Sequence, residues 1–131
     1  MIGLDTNVLL RYLAQDDPVQ SPIATKLMHA LSAEEPGFVS IILVVELVWV
    51  LQKSYASGRR EIASVVESLL RTKELVVERA ELVSQALRLF SAGRADFADT
   101  LIERCANAAD CDYTLTFDQT AAATAGMRLL E

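Results

Sequence analysis

The stretch IILVVELVWVL, residues 41–51, decides the fold, because ten of its eleven residues are apolar. Its β-branched residues leave the periodicity ambiguous between a buried strand and a buried helix. Length favours the helix, since a strand of this size would exceed the usual range, and we predict a helix over 41–56. Glu46 is the one charged residue in the stretch. A carboxylate among apolar side chains is costly to keep ionised unless water or the fold compensates its charge.

Strands and helices alternate on both sides of this stretch. A helix with Ser21 as its N-cap and Pro22 at its first position is one of the predicted elements. The remaining helices are predicted over 6–15, 59–71, 79–92, 96–110 and 119–126, and the strands over 1–5, 37–40, 74–78, 112–118 and 127–130. This alternation is typical of the α/β class. We therefore predict that residues 1–131 form a single-domain, three-layer α/β/α sandwich with a central, mostly parallel sheet.

Composition and charge exclude several classes of protein. Hydrophobic residues make up 52% of the 131 residues, as in compact globular chains, and the net charge is −6. This acidity argues against a module that simply binds nucleic acid, but not against an enzyme that meets nucleic acid through bound cations. His29 is the only histidine, so a Ser-His-Asp triad or a histidine-rich zinc site is hard to build. The N-terminus lacks a basic leader and no apolar run could span a bilayer, so we expect a cytoplasmic protein that does not associate with a membrane.

Acidic residues recur where predicted strands end or helices begin. Asp5 and Asp118 each end a strand, while Asp96 and Asp99 stand three residues apart at a helix start. Glu46 lies one to two turns into the helix that follows the second strand. Ligands of parallel α/β sheets bind beyond the carboxyl ends of the strands. If these five acids converge, their repulsion requires cations such as Mg²⁺ or Mn²⁺, and such a site suits phosphodiester hydrolysis.

Each acid also has a purely structural interpretation. Asp5 and Asp118 are in positions typical of turn formers or helix N-caps, and Asp96 is placed to cap its own helix. An Asp96 that caps the helix is less free to bind metal, so Asp99 is the better candidate ligand. Glu103 falls on the same helix face one turn later, where we expect it to be solvated. Glu46 has the weakest structural alternative, because a helix that is apolar all round leaves few places to solvate a carboxylate.

Four blocks of sequence, in order and at these separations, resemble the PIN-domain family. They are MIGLDTNVLLRYL at residues 1–13, VVELVWVL at 44–51, ADFADTLI at 95–102 and LTFD at 115–118. The likeness covers essentially the whole chain and is particularly to the bacterial VapC-type toxin ribonucleases. It implies that Asp5, Glu46 and Asp99 are the three core acids, Asp118 the fourth and Asp96 an additional one. It also implies that Thr6 and Asn7 orient Asp5 by hydrogen bonding.

The resemblance implies a function as well as a fold. Family members hold Mg²⁺ or Mn²⁺ in an acidic cluster and cleave RNA, which implies an endoribonuclease that is the toxin of a toxin–antitoxin pair. The implied partners are an RNA substrate, a cognate antitoxin and a second copy of the chain in a homodimer. A catalytically silent PIN-like scaffold that binds RNA or protein is the alternative. A haloacid-dehalogenase-like phosphatase is disfavoured, because Asn7 stands where its second Asp belongs.

Overall fold

The computed structural model describes all residues, 1–131, and divides the chain into two compact units. The first unit comprises Met1–Ala56 with Ser68–Glu78, and the second comprises Ser57–Glu67 with Arg79–Glu131. In chain order the elements are β1 (Ile2–Gly3), α1 (Thr6–Ala14), α2 (Gln20–Ala30), β2 (Gly37–Val39), α3 (Ile41–Ser54), α4 (Arg59–Arg71), β3 (Leu75–Val77), α5 (Ala80–Ala92), α6 (Phe97–Ala108), β4 (Leu115–Thr116), α7 (Gln119–Thr124) and β5 (Arg128–Leu129).

A parallel three-stranded sheet in the order β1-β2-β3 organises the first unit. Gly37 on β2 pairs with Ile2 on one side and with Leu75 on the other. A Cβ atom at Gly37 would lie 2.8 Å from the Leu4 side chain and 3.0 Å from that of Leu31. A larger residue would have to displace the ends of these leucine side chains, so the packing around the central strand favours glycine.

Helix α3 follows the central strand and contains the stretch on which the sequence analysis began. Ser40 caps it, since its Oγ accepts a hydrogen bond from the backbone N–H of Leu43 at 3.1 Å. One face is buried, through Leu43, Val44, Leu47, Val48 and Leu51. The opposite face is open: Ile42 is 76% exposed and Trp49 is 57% exposed. The prediction of a helix is confirmed, but the expectation that it is enclosed on all sides is wrong.

The second unit contains a two-stranded parallel sheet and the α5–α6 pair. Strand β4 pairs with β5, with Leu115 opposite Arg128 and Thr116 opposite Leu129. Helices α5 and α6 pack through Phe90 and Phe97, whose rings meet edge to face at 5.7 Å between centroids. Both phenylalanines are fully buried. A smaller buried cluster of Ala95, Ala121, Ala125 and Met127 joins the segment before α6 to helix α7 and the segment after it.

Comparison with the sequence predictions shows agreement in element type and differences at element boundaries. The predicted helix over 59–71 is α4, residue for residue. The predicted cap at Ser21 is wrong, because α2 begins at Gln20 and Ser21 is buried inside it, donating to the carbonyl oxygen of Arg11. The Asp17 carboxylate instead accepts from the first backbone N–H groups of this turn. The α/β class with parallel strands is confirmed, and the single-domain organisation stays a prediction.

No helix combines the length and the apolar character that crossing a membrane would require.

Candidate active site

Asp5 stands between β1 and α1, at the N-cap position of the helix. Its backbone is extended, with φ −92° and ψ 156°, as N-cap residues require, but its side chain makes no capping hydrogen bond. The carboxylate is exposed to solvent. The cap interpretation therefore describes where Asp5 lies, while its carboxylate oxygens remain available for a ligand.

Glu46 is joined to the start of the same helix by a buried hydroxyl group. The Oγ1 of Thr6 donates a hydrogen bond to Glu46 Oε1. Thr6 is the residue after Asp5 and is only 7% exposed. This bond links α3 to the first residue of α1, at a point one residue from Asp5. The first unit therefore brings its two candidate acids to one region through Thr6.

The surroundings of these residues differ from the expectation in two respects. Thr6 bonds to Glu46 and neither Thr6 nor Asn7 bonds to Asp5; the Asn7 side chain instead lines a groove with Val8 and Arg11. Glu46 itself is exposed rather than surrounded by apolar side chains, because it lies on the open face of α3. Water and the Thr6 hydroxyl therefore compensate its charge.

Asp96 is the N-cap of α6 in the second unit. Its Oδ2 accepts a hydrogen bond from the backbone N–H of Asp99 at 3.1 Å. The buried Thr100 hydroxyl donates to the backbone carbonyl of Asp96 at 2.8 Å. The capping interpretation of Asp96 is confirmed, and one of its carboxylate oxygens is used for it.

Asp118 performs a similar task for the short helix α7. Its Oδ1 accepts from the backbone N–H groups of Thr120 at 2.8 Å and Ala121 at 3.2 Å. Its own N–H donates to Thr116 Oγ1 at 3.0 Å, which fixes the turn after β4. The Oδ2 atom has no hydrogen-bond partner and is exposed with the rest of the residue. Asp118 is thus both a cap and a carboxylate with one open oxygen.

Asp99, in the first turn of α6, has a perturbed ionisation. Burial raises the pKa of Asp99, and the neighbouring charges of Asp96 and Asp118 raise it further. Both effects disfavour the carboxylate form. The three acids of the second unit therefore lie close enough to repel one another, as the sequence analysis expected of converging acids.

Two residues of the second unit were misjudged or missed. Glu103 is not solvated, because its carboxylate forms a two-armed ion pair with Arg104 at 2.7 and 3.1 Å and its side chain is only 14% exposed. The sequence analysis did not predict a role for Arg59. Its guanidinium donates to the carbonyl oxygens of Phe90, Ala95 and Arg94 at 2.8–3.1 Å, and so holds the turn that leads into Asp96.

No sequence signal identifies Arg59, because the identical residue Arg60 follows it directly and makes no such contacts. Its importance depends on three backbone carbonyl groups more than 30 residues further along the chain.

Asp5 and Asp118 follow strands of parallel sheets, and Asp99 has a raised pKa near Asp96 and Asp118. These features are typical of α/β proteins that bind ligands at the carboxyl ends of their strands. The chain belongs to the PIN-domain family, whose model matches residues 2–127. It is also similar to a VapC ribonuclease of Aquifex aeolicus (strain VF5), with 31% identity over 98 residues, which cover 75% of this chain and 73% of that protein. No solved structure matches it.

Proposed function

We propose that this protein is a Mg²⁺- or Mn²⁺-dependent endoribonuclease that cleaves RNA phosphodiesters and acts as the toxin of a toxin–antitoxin pair. The observation that carries the proposal is the acid group of the second unit, in which burial and then the charges of Asp96 and Asp118 raise the pKa of Asp99. Membership of the PIN-domain family and the likeness to a VapC ribonuclease supply the reaction class.

The donor set fits a hard divalent cation. Asp5, Glu46, Asp99 and Asp118 offer only oxygen, the ligand type that Mg²⁺ and Mn²⁺ prefer. A cation would also reverse the repulsion felt by Asp99 and favour its ionised form. No group of three or more His, Cys, Asp or Glu side chains is already arranged to hold a metal.

Each residue has a distinct part in the proposed reaction. Asp5, Glu46 and Asp99 would hold the ion, Asp118 would assist through its open oxygen, and Asp96 would add a further carboxylate. The bound ion would activate water and stabilise the leaving oxygen of the phosphodiester. Thr6 would keep Glu46 in position through its hydroxyl group. The capping bonds of Asp96 and Asp118 restrict their rotamers, so these carboxylates are held in place before the ion binds.

We also propose a cognate antitoxin as partner, and a cytoplasmic, homodimeric protein whose residues 1–131 act as one nuclease domain. A groove of about 250 Å³ between α1 and α2 supports the antitoxin. Apolar residues such as Val8, Ile23 and Leu27 line it beside Arg11, as expected of a site for an amphipathic helix. The net charge of −6 favours a basic antitoxin segment.

Purified wild-type protein tests the proposal when it is incubated with single-stranded RNA and either Mg²⁺ or Mn²⁺. We expect cleavage that a chelator stops and that Asp5→Asn or Asp99→Asn abolishes with the fold intact. Asp112→Asn is the matched control, because Asp112 is an exposed acid of the second unit without a hydrogen bond, and it should cleave like wild type. Divalent-metal binding, measured by calorimetry, should weaken in Glu46→Gln.

Two results would contradict the proposal. Undiminished cleavage by purified Asp99→Asn would exclude this acid from the reaction. Wild-type protein that binds RNA without cutting it under either metal would instead establish the silent scaffold.

A further inference from the structure

A large aromatic side chain stands in solvent directly beside one of the candidate acids. Phe117 lies between Thr116, the last residue of β4, and Asp118, and it is 80% exposed, more than any other large hydrophobic residue of the chain. Leaving such a ring in water forgoes the stabilisation that its burial would bring. The surrounding backbone is nevertheless well defined, because the Asp118 N–H donates to Thr116 Oγ1 and the Asp118 carboxylate accepts from the backbone N–H of Thr120 in α7.

The ring belongs to a row of exposed residues along β4. Tyr113 is 51% exposed and Leu115 is 48% exposed, and these two alternate with Phe117 in the sequence. Residues that alternate along an extended chain share one face of the sheet. The hydrogen bonds from Arg128 to Thr114 and from Leu130 to Thr116 keep this segment extended beside β5.

A cation completes the row. The Arg128 guanidinium lies over the Tyr113 ring, 3.9 Å from its centroid. Arg128 thereby covers Tyr113, whereas the Phe117 ring makes no aromatic or cation–π contact. Exposed aromatic rings next to a guanidinium group are the combination with which proteins bind single-stranded nucleic acid, since bases stack on the rings and the cation attracts the phosphates.

We propose that Phe117 is a substrate-binding residue on which a nucleobase of single-stranded RNA stacks, next to the phosphodiester that is cleaved. This inference rests on the proposed ribonuclease function. The Cα atoms of Phe117 and Asp118 are about 3.8 Å apart, as for any two consecutive residues. A base on the ring and a phosphate near the carboxylate can therefore belong to the same short stretch of RNA.

The stacked base would select the form of the substrate. A base within a duplex is already stacked on its neighbours, whereas an unpaired base can turn onto the ring. Phe117 would therefore favour unpaired RNA segments. Stacking tolerates every base, because each has a π-face, so the residue would select strandedness more than sequence.

The test combines substitutions of Phe117 in the protein with removal of single bases from the substrate. Oligoribonucleotides carry an abasic nucleotide at successive positions around the cleavage site, and kcat/KM is measured for wild type, Phe117→Ala and Phe117→Trp. We expect Phe117→Ala to lower kcat/KM by roughly 5- to 150-fold on the intact strand, the range measured for base–aromatic stacking. An abasic nucleotide at the position whose base stacks on Phe117 should lower the kcat/KM of wild type by a similar factor. The same abasic strand should leave the kcat/KM of Phe117→Ala nearly unchanged. Phe117→Trp should retain activity.

Ile102→Ala is the matched control, because Ile102 is an exposed apolar residue of α6 in the same unit, and its kcat/KM should stay within about twofold of wild type. Stacking is also measured without cleavage, through the fluorescence quenching of 2-aminopurine placed at each position of the oligoribonucleotide in turn. Quenching by wild type and its loss in Phe117→Ala would support the inference even if no strand were cut, an outcome that would contradict only the ribonuclease proposal.

The inference is wrong if Phe117→Ala and the abasic substitution reduce kcat/KM independently, or if 2-aminopurine quenching is equal in both proteins. It is also wrong if Phe117→Ala converts a dimer into a monomer in analytical ultracentrifugation, because the ring would then belong to an interface between two copies.

Discussion

Arg59→Met removes the three hydrogen bonds that hold the turn between α5 and α6 and leaves an unbranched side chain of similar length. In the native chain the guanidinium bonds to the carbonyl oxygens of Phe90, Ala95 and Arg94, and it lies 4.2 Å from the centroid of the Phe90 ring. These contacts fix the turn from which Asp96 and the helix carrying Asp99 begin. Loosening the turn should therefore affect both stability and activity.

The magnitude follows from the number and exposure of the contacts. Three hydrogen bonds with a net value of about 0.5 kcal/mol each, the lower end of the usual range because Arg59 is exposed, total about 1.5 kcal/mol. The contact with the Phe90 ring adds about 0.5 kcal/mol. We expect Arg59→Met to lower the free energy of unfolding by roughly 2 kcal/mol, which corresponds to a decrease of about 5–10 °C in Tm for a chain of this size.

Thermal and urea unfolding followed by circular dichroism measure this change. Arg60→Met is the matched control, because it makes the same chemical change one residue along the helix, and it should stay within about 0.5 kcal/mol of wild type. Under the proposed function, Arg59→Met should also lower kcat for RNA cleavage at a temperature where it is fully folded. Equal stability losses in the two variants would refute the assignment of Arg59 to this turn.

Three further predictions follow from single residues. Asp99→Asn should raise Tm near neutral pH, because the pKa of Asp99 is raised above 3.8 in the folded chain and its charge opposes folding. The difference in Tm between the two proteins should shrink as the pH falls through the raised pKa towards 3.8, because the Asp99 carboxylate of wild type is then protonated. A difference in Tm that grows on acidification would contradict the reasoning. Thr6→Val should lose about 1–2 kcal/mol through the missing bond to Glu46, whereas Thr6→Ser keeps the hydroxyl; equal metal affinity in both, by calorimetry, would exclude Thr6 from positioning Glu46. Ser40→Ala should lose about 1 kcal/mol in urea unfolding through its cap on α3, while Ser54→Ala at the end of that helix should change little; equal losses would show that the cap is not the cause.

The order and type of the elements could be predicted because they depend on local patterns. The apolar spacing over 59–71 defines one face of a helix wherever the chain is placed, and α4 has those bounds. The start of α2 could not be predicted, because Ser21 and Asp17 are both good capping residues. In the structure the Asp17 carboxylate accepts from the backbone N–H groups of Val19 and Gln20, while the Ser21 hydroxyl donates to the carbonyl oxygen of Arg11 in α1.

Acids that have similar positions in the sequence take different roles in the structure, because their contacts depend on residues distant in the chain. Asp5, Glu78 and Asp118 each follow a strand, which is as far as sequence pattern can place them. In the structure Glu78 accepts from the backbone N–H of Ile41, Asp118 divides its oxygens between a helix and solvent, and Asp5 keeps both free. Ile41 is 37 residues from Glu78, so its contact arises only when the strands pack.

The sequence by itself determined the α/β class, the PIN-domain family and the identity of the candidate acids, because periodicity, turn residues and motif spacing are local properties. Only the tertiary structure decided that Thr6 bonds to Glu46 and that Phe117 stays in solvent. The first needs two residues 40 positions apart to meet. The second needs every other element to leave that ring uncovered. Both depend on how the whole chain packs, which no short stretch encodes.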